Sequence, residues 1–290
     1  MRREREERRV PGDPRRSPEP VRRVRGAWRP RALAAGAACA LLLSSRPLLA
    51  ACDKPVYLTF DTGHMAVAPL VAEVLRRHAV KATFFLADER TTTGGTSLDD
   101  AWAAWWRERA AEGHAFGSHT WDHDVWQADL PGPVFRVRPT AGPSANRPRV
   151  LDAQAYCEQL ARPARRLAEM AGTPMGAIFR APGGRTSPAL LQAAARCGWT
   201  HVHWSPAGFL GDELPSERFP NRQLLERALR DVKPGDILLA HLGIWSRQDP
   251  WAPAVLEPLI AGLKARGMCF VTLREHPTLG RAARAKAPAS

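Results

Sequence analysis

Asp61, His119, His123, Arg180 and His241 are the residues of this chain whose types and settings can do chemistry. Asp61 stands in Thr59-Phe60-Asp61-Thr62-Gly63-His64, at the end of a β-branched and aromatic run. Such a run reads as a buried strand, and catalytic groups of strand–helix proteins sit at the carboxyl ends of strands. Gly63 lets the chain turn there without a Cβ clash. A carboxylate in that place can take a proton or can cap the next helix, and partners at later strand ends decide between the two. His119-Thr120-Trp121-Asp122-His123 sets two histidines at i, i+4, one face of a helical turn, a spacing that can grip one metal ion. Arg180-Ala181-Pro182-Gly183-Gly184 joins a cation that can orient a carboxylate to two glycines that bring backbone N–H groups near a ligand. His203-Trp204-Ser205-Pro206 and Leu239-Ala240-His241 add an indole and another imidazole.

The elements that must position these residues alternate. Strands are expected over residues 56–61, 80–86, 115–118, 175–179, 200–204, 236–240 and 268–273. Helices are expected over 69–78, 99–112, 151–171, 187–197, 221–232 and 253–266, with Leu70, Val71, Val74 and Leu75 on the apolar face of the first. The third must accommodate Pro163, and the fourth opens on Ser187-Pro188, a cap followed by proline. Trp102, Trp105 and Trp106 are assigned to packing. Residues 124–150 are Pro/Gly-rich and partly basic (Arg136, Arg138, Arg147, Arg149) and read as one long loop, either a wall of a substrate groove or a solvated insertion. Regular alternation implies parallel strands with helices outside, and seven strands imply a closed or nearly closed barrel. No internal repeat and no second domain is visible.

The chain has 290 residues, 44% hydrophobic, enough for one barrel-sized core. Its net charge of +13 is largely local. Residues 1–51 hold thirteen arginines against five acids, a net of +8, which leaves +5 for the rest. That remainder carries no basic stripe interleaved with aromatics, so nucleic-acid binding is not expected. Residues 1–51 read as a basic leader and secretory signal peptide, with an Ala/Leu run over 32–45 too short to span a bilayer. The expected mature domain is 52–278, followed by a flexible tail over 279–290, in a secreted or periplasmic protein. Leu49-Ala50-Ala51-Cys52 also resembles a lipoprotein signal that would anchor the chain to a membrane through Cys52, although Arg46-Pro47 counts against it. Removing the leader leaves Cys52, Cys157, Cys197 and Cys269. Of their three pairings, 52–269 joins neighbouring strands of a closed barrel and 157–197 joins consecutive helices, so these are favoured.

Together these residues resemble the NodB-like polysaccharide deacetylases, carbohydrate esterase family four. The family's TFDDG is Thr59-Phe60-Asp61-Thr62-Gly63 here. Its H-[ST]-x-x-H is His119–His123, its R-x-P-x-G is Arg180–Gly184, and its L-x-H is Leu239–His241. Each motif is short, but four in the family's order are jointly specific over residues 54–275. The resemblance implies a distorted (β/α) barrel of about seven parallel strands. It implies metal-dependent removal of N-acetyl groups from a glycan, either peptidoglycan or an N-acetylglucosamine polymer. It makes His119 and His123 ligands of a divalent metal, usually Zn2+, Asp61 the base, Arg180 its tether and His241 the acid. Gly183 would stabilise the oxyanion, and Trp204 would pack beneath His241 or line the acetyl pocket. Two departures stand out. Thr62 replaces the family's third, carboxylate ligand, so the metal would bind more weakly, through a water on Thr62, or with Asp122 or His64 as substitute. The acid expected to pair with the catalytic histidine falls at Asp212, in uncertain register. The Thr62 change favours a metal-independent hydrolase of a small molecule's C–N bond as the alternative, and a catalytically decayed glycan-binding barrel is the third reading.

Overall fold

The computed structural model describes residues 52–289. The central strand, β1 (Pro55–Asp61), is buried from Val56 onward, as its uninterrupted apolar run requires. After it come α1 (Ala68–Arg77), β2 (Thr83–Leu86), α2 (Ala103–Ala111) and β3 (Ala115–Ser118). Next are β4 (Asp124–Leu130), β5 (Val134–Pro139), β6 (Arg149–Asp152), α3 (Ala153–Ala171), β7 (Ile178–Phe179), α4 (Pro188–Arg196) and β8 (Thr200–His201). The chain closes with α5 (Asn221–Asp231), β9 (Ile237–His241), α6 (Leu256–Ala265), β10 (Cys269–Phe270) and α7 (Gly280–Arg284).

The seven barrel strands are parallel. β9 and β2 flank β1, β3 follows β2, then β7 and β8, and β10 pairs with the first residues of β1. β7 and β8 have only two residues each, so the wall on that side is irregular. The chain after β8 completes it against β9: Ser205 N–H donates to Ile237 O at 3.0 Å, and Phe209 bridges to Leu239. The result is the expected distorted (β/α) barrel.

Register carries the functional consequence. Asp61 lies beside His241 on β9 and Phe85 on β2. Leu86 lies beside Ser118, and Ser118 beside Phe179. The next residues along, His119 and Arg180, therefore reach the same rim as Asp61 and His241.

The core behind this rim is aromatic. Phe60, Phe84 and Phe116 stack with ring centroids 5.6 and 6.1 Å apart, and Trp106 meets Phe84 edge-on at 6.0 Å. Trp106 is fully buried and its indole N–H donates to Ser97 O at 2.9 Å; Trp102 and Trp105 pack beside it, as expected. Leu70, expected on the buried face of α1, is 40% exposed.

The structure corrects the sequence reading in two stretches. Residues 124–150 are not one loop but a three-stranded antiparallel sheet, β4-β5-β6. In β5, Phe135 and Val137 are buried while Arg136 and Arg138 are exposed, the period of two that marks a strand with one covered face. Pro131-Gly132-Pro133 make the hairpin turn, with Gly132 at φ +77°. Leu151, placed in a helix from sequence, belongs to β6, and Asp152 caps α3 by accepting from Ala155 N–H at 2.7 Å. The second correction is the tail. α7 packs on the barrel, Ala177 N–H donates to Ala282 O and Ala285 O, and Ala287 N–H donates to Met175 O. The expected disulfides are both present: Cys52–Cys269 ties the segment just before β1 to β10, and Cys157–Cys197 ties α3 to the end of α4. The expected leader, residues 1–51, lies outside the described residues.

Candidate active site

Asp61 is buried at 3% exposure, where an unpaired carboxylate would be costly. Arg180, itself fully buried, donates from Nη1 to Asp61 Oδ1 at 2.7 Å and stacks its guanidinium 4.3 Å from the Phe85 ring. Burial alone would raise the Asp61 pKa, but the charges of Arg180, His119 and His241 outweigh it and hold the carboxyl below its usual range. Asp61 is thus an ionised proton acceptor.

His119 sits against it, Nε2 being 3.4 Å from Asp61 Oδ2. Burial, opposed by Asp61, lowers the His119 pKa to about 4, so the ring is neutral. Its Nδ1–H donates to Arg180 O at 2.9 Å, which fixes the tautomer and leaves the Nε2 lone pair facing the carboxylate. Two acceptors face each other there. This donor set fits a cation, because an imidazole whose other nitrogen is tied to a carbonyl is the common state of a metal-bound histidine. His123 has its Nδ1 hydrogen-bonded with Thr140 Oγ1 at 2.5 Å, a hydroxyl that can donate or accept, and its ring centroid is 4.8 Å from that of His119.

The two histidines do not lie on a helical turn. Thr120 (φ +58°) and His123 (φ +52°) both adopt left-handed backbone, uncommon for such residues. Thr120 Oγ1 accepts from Asp124 N–H at 2.8 Å and Ser118 Oγ from Thr120 N–H at 3.3 Å, which hold the turn.

On the opposite side, Asp212 accepts from His241 Nδ1 at 3.1 Å through Oδ1 and from its backbone N–H at 2.6 Å through Oδ2. Burial would lower the His241 pKa, but the Asp212 charge and hydrogen bond push it up to about 9. His241 is therefore protonated at neutral pH, and the uncertain register of Asp212 is resolved in favour of this pairing.

A cavity of about 160 Å3 opens over this layer. Asp61, His119, His123 and His241 line it, with Gly183 (φ +63°) and Trp204 in its wall. Neighbouring Gly184 (φ +65°) packs so closely that an added Cβ would lie 2.5 Å from Trp204 Cη2.

The expected substitutes for the missing third ligand are elsewhere. Asp122 is buried and accepts from Arg149 (2.7 Å) and Gln159 (3.1 Å). His64 packs edge-on to Trp245 at 4.9 Å and accepts from Ala66 N–H. Thr62 is buried and is not in the cavity wall. Its hydroxyl accepts from Ala87 N–H at 3.0 Å and donates to Glu89 Oε2 at 2.6 Å. Glu89 does line the cavity, as does Glu213, whose Oε2 is 3.9 Å from His241 Nε2. Sequence reasoning found neither. Glu89 follows β2, the strand end to which no chemistry was assigned, and Glu213 follows Asp212 directly.

Comparison with known proteins agrees with this geometry. Residues 50–202 match the polysaccharide deacetylase family, and the chain belongs to it. A chitooligosaccharide deacetylase from Azorhizobium caulinodans is 28% identical over 76% of this chain and 93% of its own length. A peptidoglycan-N-acetylglucosamine deacetylase from Bacillus cereus is 25% identical, covering 77% and 88%. Among solved structures, a family 4 acetyl xylan esterase from Clostridium thermocellum in complex with a cobalt ion superposes with a TM-score of 0.59 at 26% identity, covering 79% and 93%. The protein is a hydrolase of carbon–nitrogen bonds, of the deacetylase type.

Proposed function

We propose that this protein removes N-acetyl groups from peptidoglycan or another N-acetylglucosamine polymer, releasing acetate, with Zn2+ as the metal. One observation carries the reading. Asp61, held ionised, and His241, held protonated, line the same cavity. A base and an acid whose pKa values are driven apart by their surroundings are the mark of paired proton transfer. The deacetylases of A. caulinodans and B. cereus support the substrate class.

His119 and His123 would hold the metal, their Nε2 atoms being left over from the bonds at Nδ1. A bound divalent cation lowers the pKa of a water and polarises a carbonyl. Asp61 takes the proton of the attacking water, and Arg180 keeps it ionised and aimed. Gly183, whose left-handed backbone puts the chain against the cavity, offers its N–H to the oxygen on which negative charge develops. Trp204 walls the acetyl group from water. His241, oriented by Asp212, gives its proton to the departing amine, and C–N cleavage leaves acetate and a free amino sugar. The metal-independent alternative draws on Thr62, which lies outside the cavity wall and holds no charge.

The two disulfides support an oxidising, secreted or periplasmic location. The Cys52–Cys269 bridge engages the sulfur that a lipid anchor would need, which favours a free protein over the anchored alternative. Among the described residues no helix is long and apolar enough to cross a membrane.

The test is acetate release from N-acetylglucosamine oligomers and from peptidoglycan. Wild-type turnover on either, reduced at least about 100-fold in Asp61→Asn, is expected. Near-normal turnover in that variant would remove Asp61 from its role, and absence of wild-type turnover would favour the glycan-binding reading.

A further inference from the structure

Thr62 stands where the family pattern has a carboxylate, yet a carboxylate is still present at the cavity. We propose that Glu89 supplies the third protein ligand of the metal and that Thr62 has become its positioning residue. The inference rests on the metal-dependent reading above and assigns to that site a residue outside every motif of the chain.

Glu89 follows β2, three residues past Leu86, and its position is fixed from several directions. Its N–H donates to Ser97 Oγ at 3.0 Å, and its carbonyl accepts from Ser97 N–H at 2.8 Å. Ser97 Oγ in turn donates to Ala87 O at 2.6 Å. Asp88 N–H donates to Trp121 O at 2.8 Å, which binds this segment to the middle of the turn that carries His119 and His123. The Glu89 side chain faces the cavity the two histidines line, and its charge is among those acting on His119.

The Thr62 hydroxyl has one proton, and it is committed to Glu89 Oε2 at 2.6 Å; Ala87 N–H occupies one of its lone pairs. Thr62 is thereby poorly placed to ligate and well placed to hold a carboxylate that can. Glu89 keeps its other oxygen for the cavity. Among the described residues no three His, Cys, Asp or Glu side chains stand close enough to hold a metal as placed. A bound cation would have to draw these side chains together, with Glu89 Oε2 kept on the Thr62 hydroxyl and its backbone on Ser97. A carboxylate with two imidazoles is a donor set suited to Zn2+.

Zn2+ affinity of the full chain, measured by chelator competition, tests this without recourse to activity. Loss of a hydrogen-bond partner of a ligand lowers metal affinity about 10–100-fold. Thr62→Val is expected in that range, Thr62→Ser near wild type, and Glu89→Gln beyond ~100-fold. Thr62→Asp combined with Glu89→Gln should recover Zn2+ binding by returning a carboxylate to position 62, which also shows that the Glu89→Gln chain is folded. If wild type binds zinc and His119→Ala abolishes it while Glu89→Gln binds as tightly as wild type, Glu89 is not a ligand and the metal reading stands. If wild type and His119→Ala alike bind no zinc, the metal reading itself falls, and this inference with it.

Discussion

At the scale of the residue, the account turns on two opposite electrostatic settings a few ångströms apart. Arg180 makes Asp61 a carboxylate that stays ionised although buried, and Asp212 makes His241 an imidazole that stays protonated although largely buried. His241→Ala should therefore lower turnover at least about 100-fold, as loss of a general acid does. With His241 in its proposed role as the acid, kcat should fall as pH rises through about 9. In Asp212→Asn that limb should move to lower pH, since the charge that raises the histidine is gone; an unmoved limb would assign it to another group. The same shift bears on stability. A histidine whose pKa is raised on folding adds stability that is complete below its unfolded value near 6.5 and is lost as pH rises towards about 9. Most of this layer was legible in the sequence, because Asp61, His119, His123, Arg180 and His241 sit in short motifs at strand ends. Glu89 was not, because only the fold shows that it lines the cavity and that the Thr62 hydroxyl bonds to it and to Ala87. Asp122 and His64 read as ligands only by closeness in sequence; a salt bridge to Arg149 and an aromatic contact with Trp245 claim them instead.

At the scale of the element, parallel register aligns the rim. Asp61 and His241 are the last pair of their two strands, and Ser118 opposite Phe179 leaves His119 and Arg180 one step beyond. Glycines make the close approaches there. Gly63 has φ +115°, and a Cβ on it would lie 2.2 Å from Gly243 O. Gly63→Ala should cost ~2 kcal/mol or more through backbone strain and overpacking, read by urea denaturation; unchanged stability would mean that the turn relaxes. Strand and helix alternation was legible because each element buries one face. The β4-β5-β6 sheet was not, because the prolines and glycines that form its turns and edges outweighed the alternation of Phe135, Val137, Arg136 and Arg138. The short strands β7 and β8 were overextended for the converse reason: apolar residues continue past the last ladder bond into the irregular wall that closes the barrel.

At the scale of the whole molecule, the barrel is fastened where its strands are least regular. The Cys52–Cys269 bridge secures β10, which pairs with β1 through two residues, and Cys157–Cys197 secures α3 to α4 on the side of the two-residue strands. Replacing Cys157 and Cys197 with alanine, which opens a 40-residue separation, should cost about 3–4 kcal/mol by loop entropy, visible as a lower denaturation midpoint. Equal midpoints would mean that packing alone holds α4. Cysteine number and strand order made these pairings readable in advance, whereas docking of the tail through α7 was not, since its Arg- and Ala-rich sequence carries little apolar signal.

Metal removal tests the central claim most directly. Acetate released from N-acetylglucosamine oligomers would be followed before EDTA treatment, after it, and after Zn2+ is restored. The account predicts turnover, its loss, and its recovery with about one zinc per chain. Undiminished acetate release from metal-free protein would contradict it and bring the metal-independent hydrolase forward.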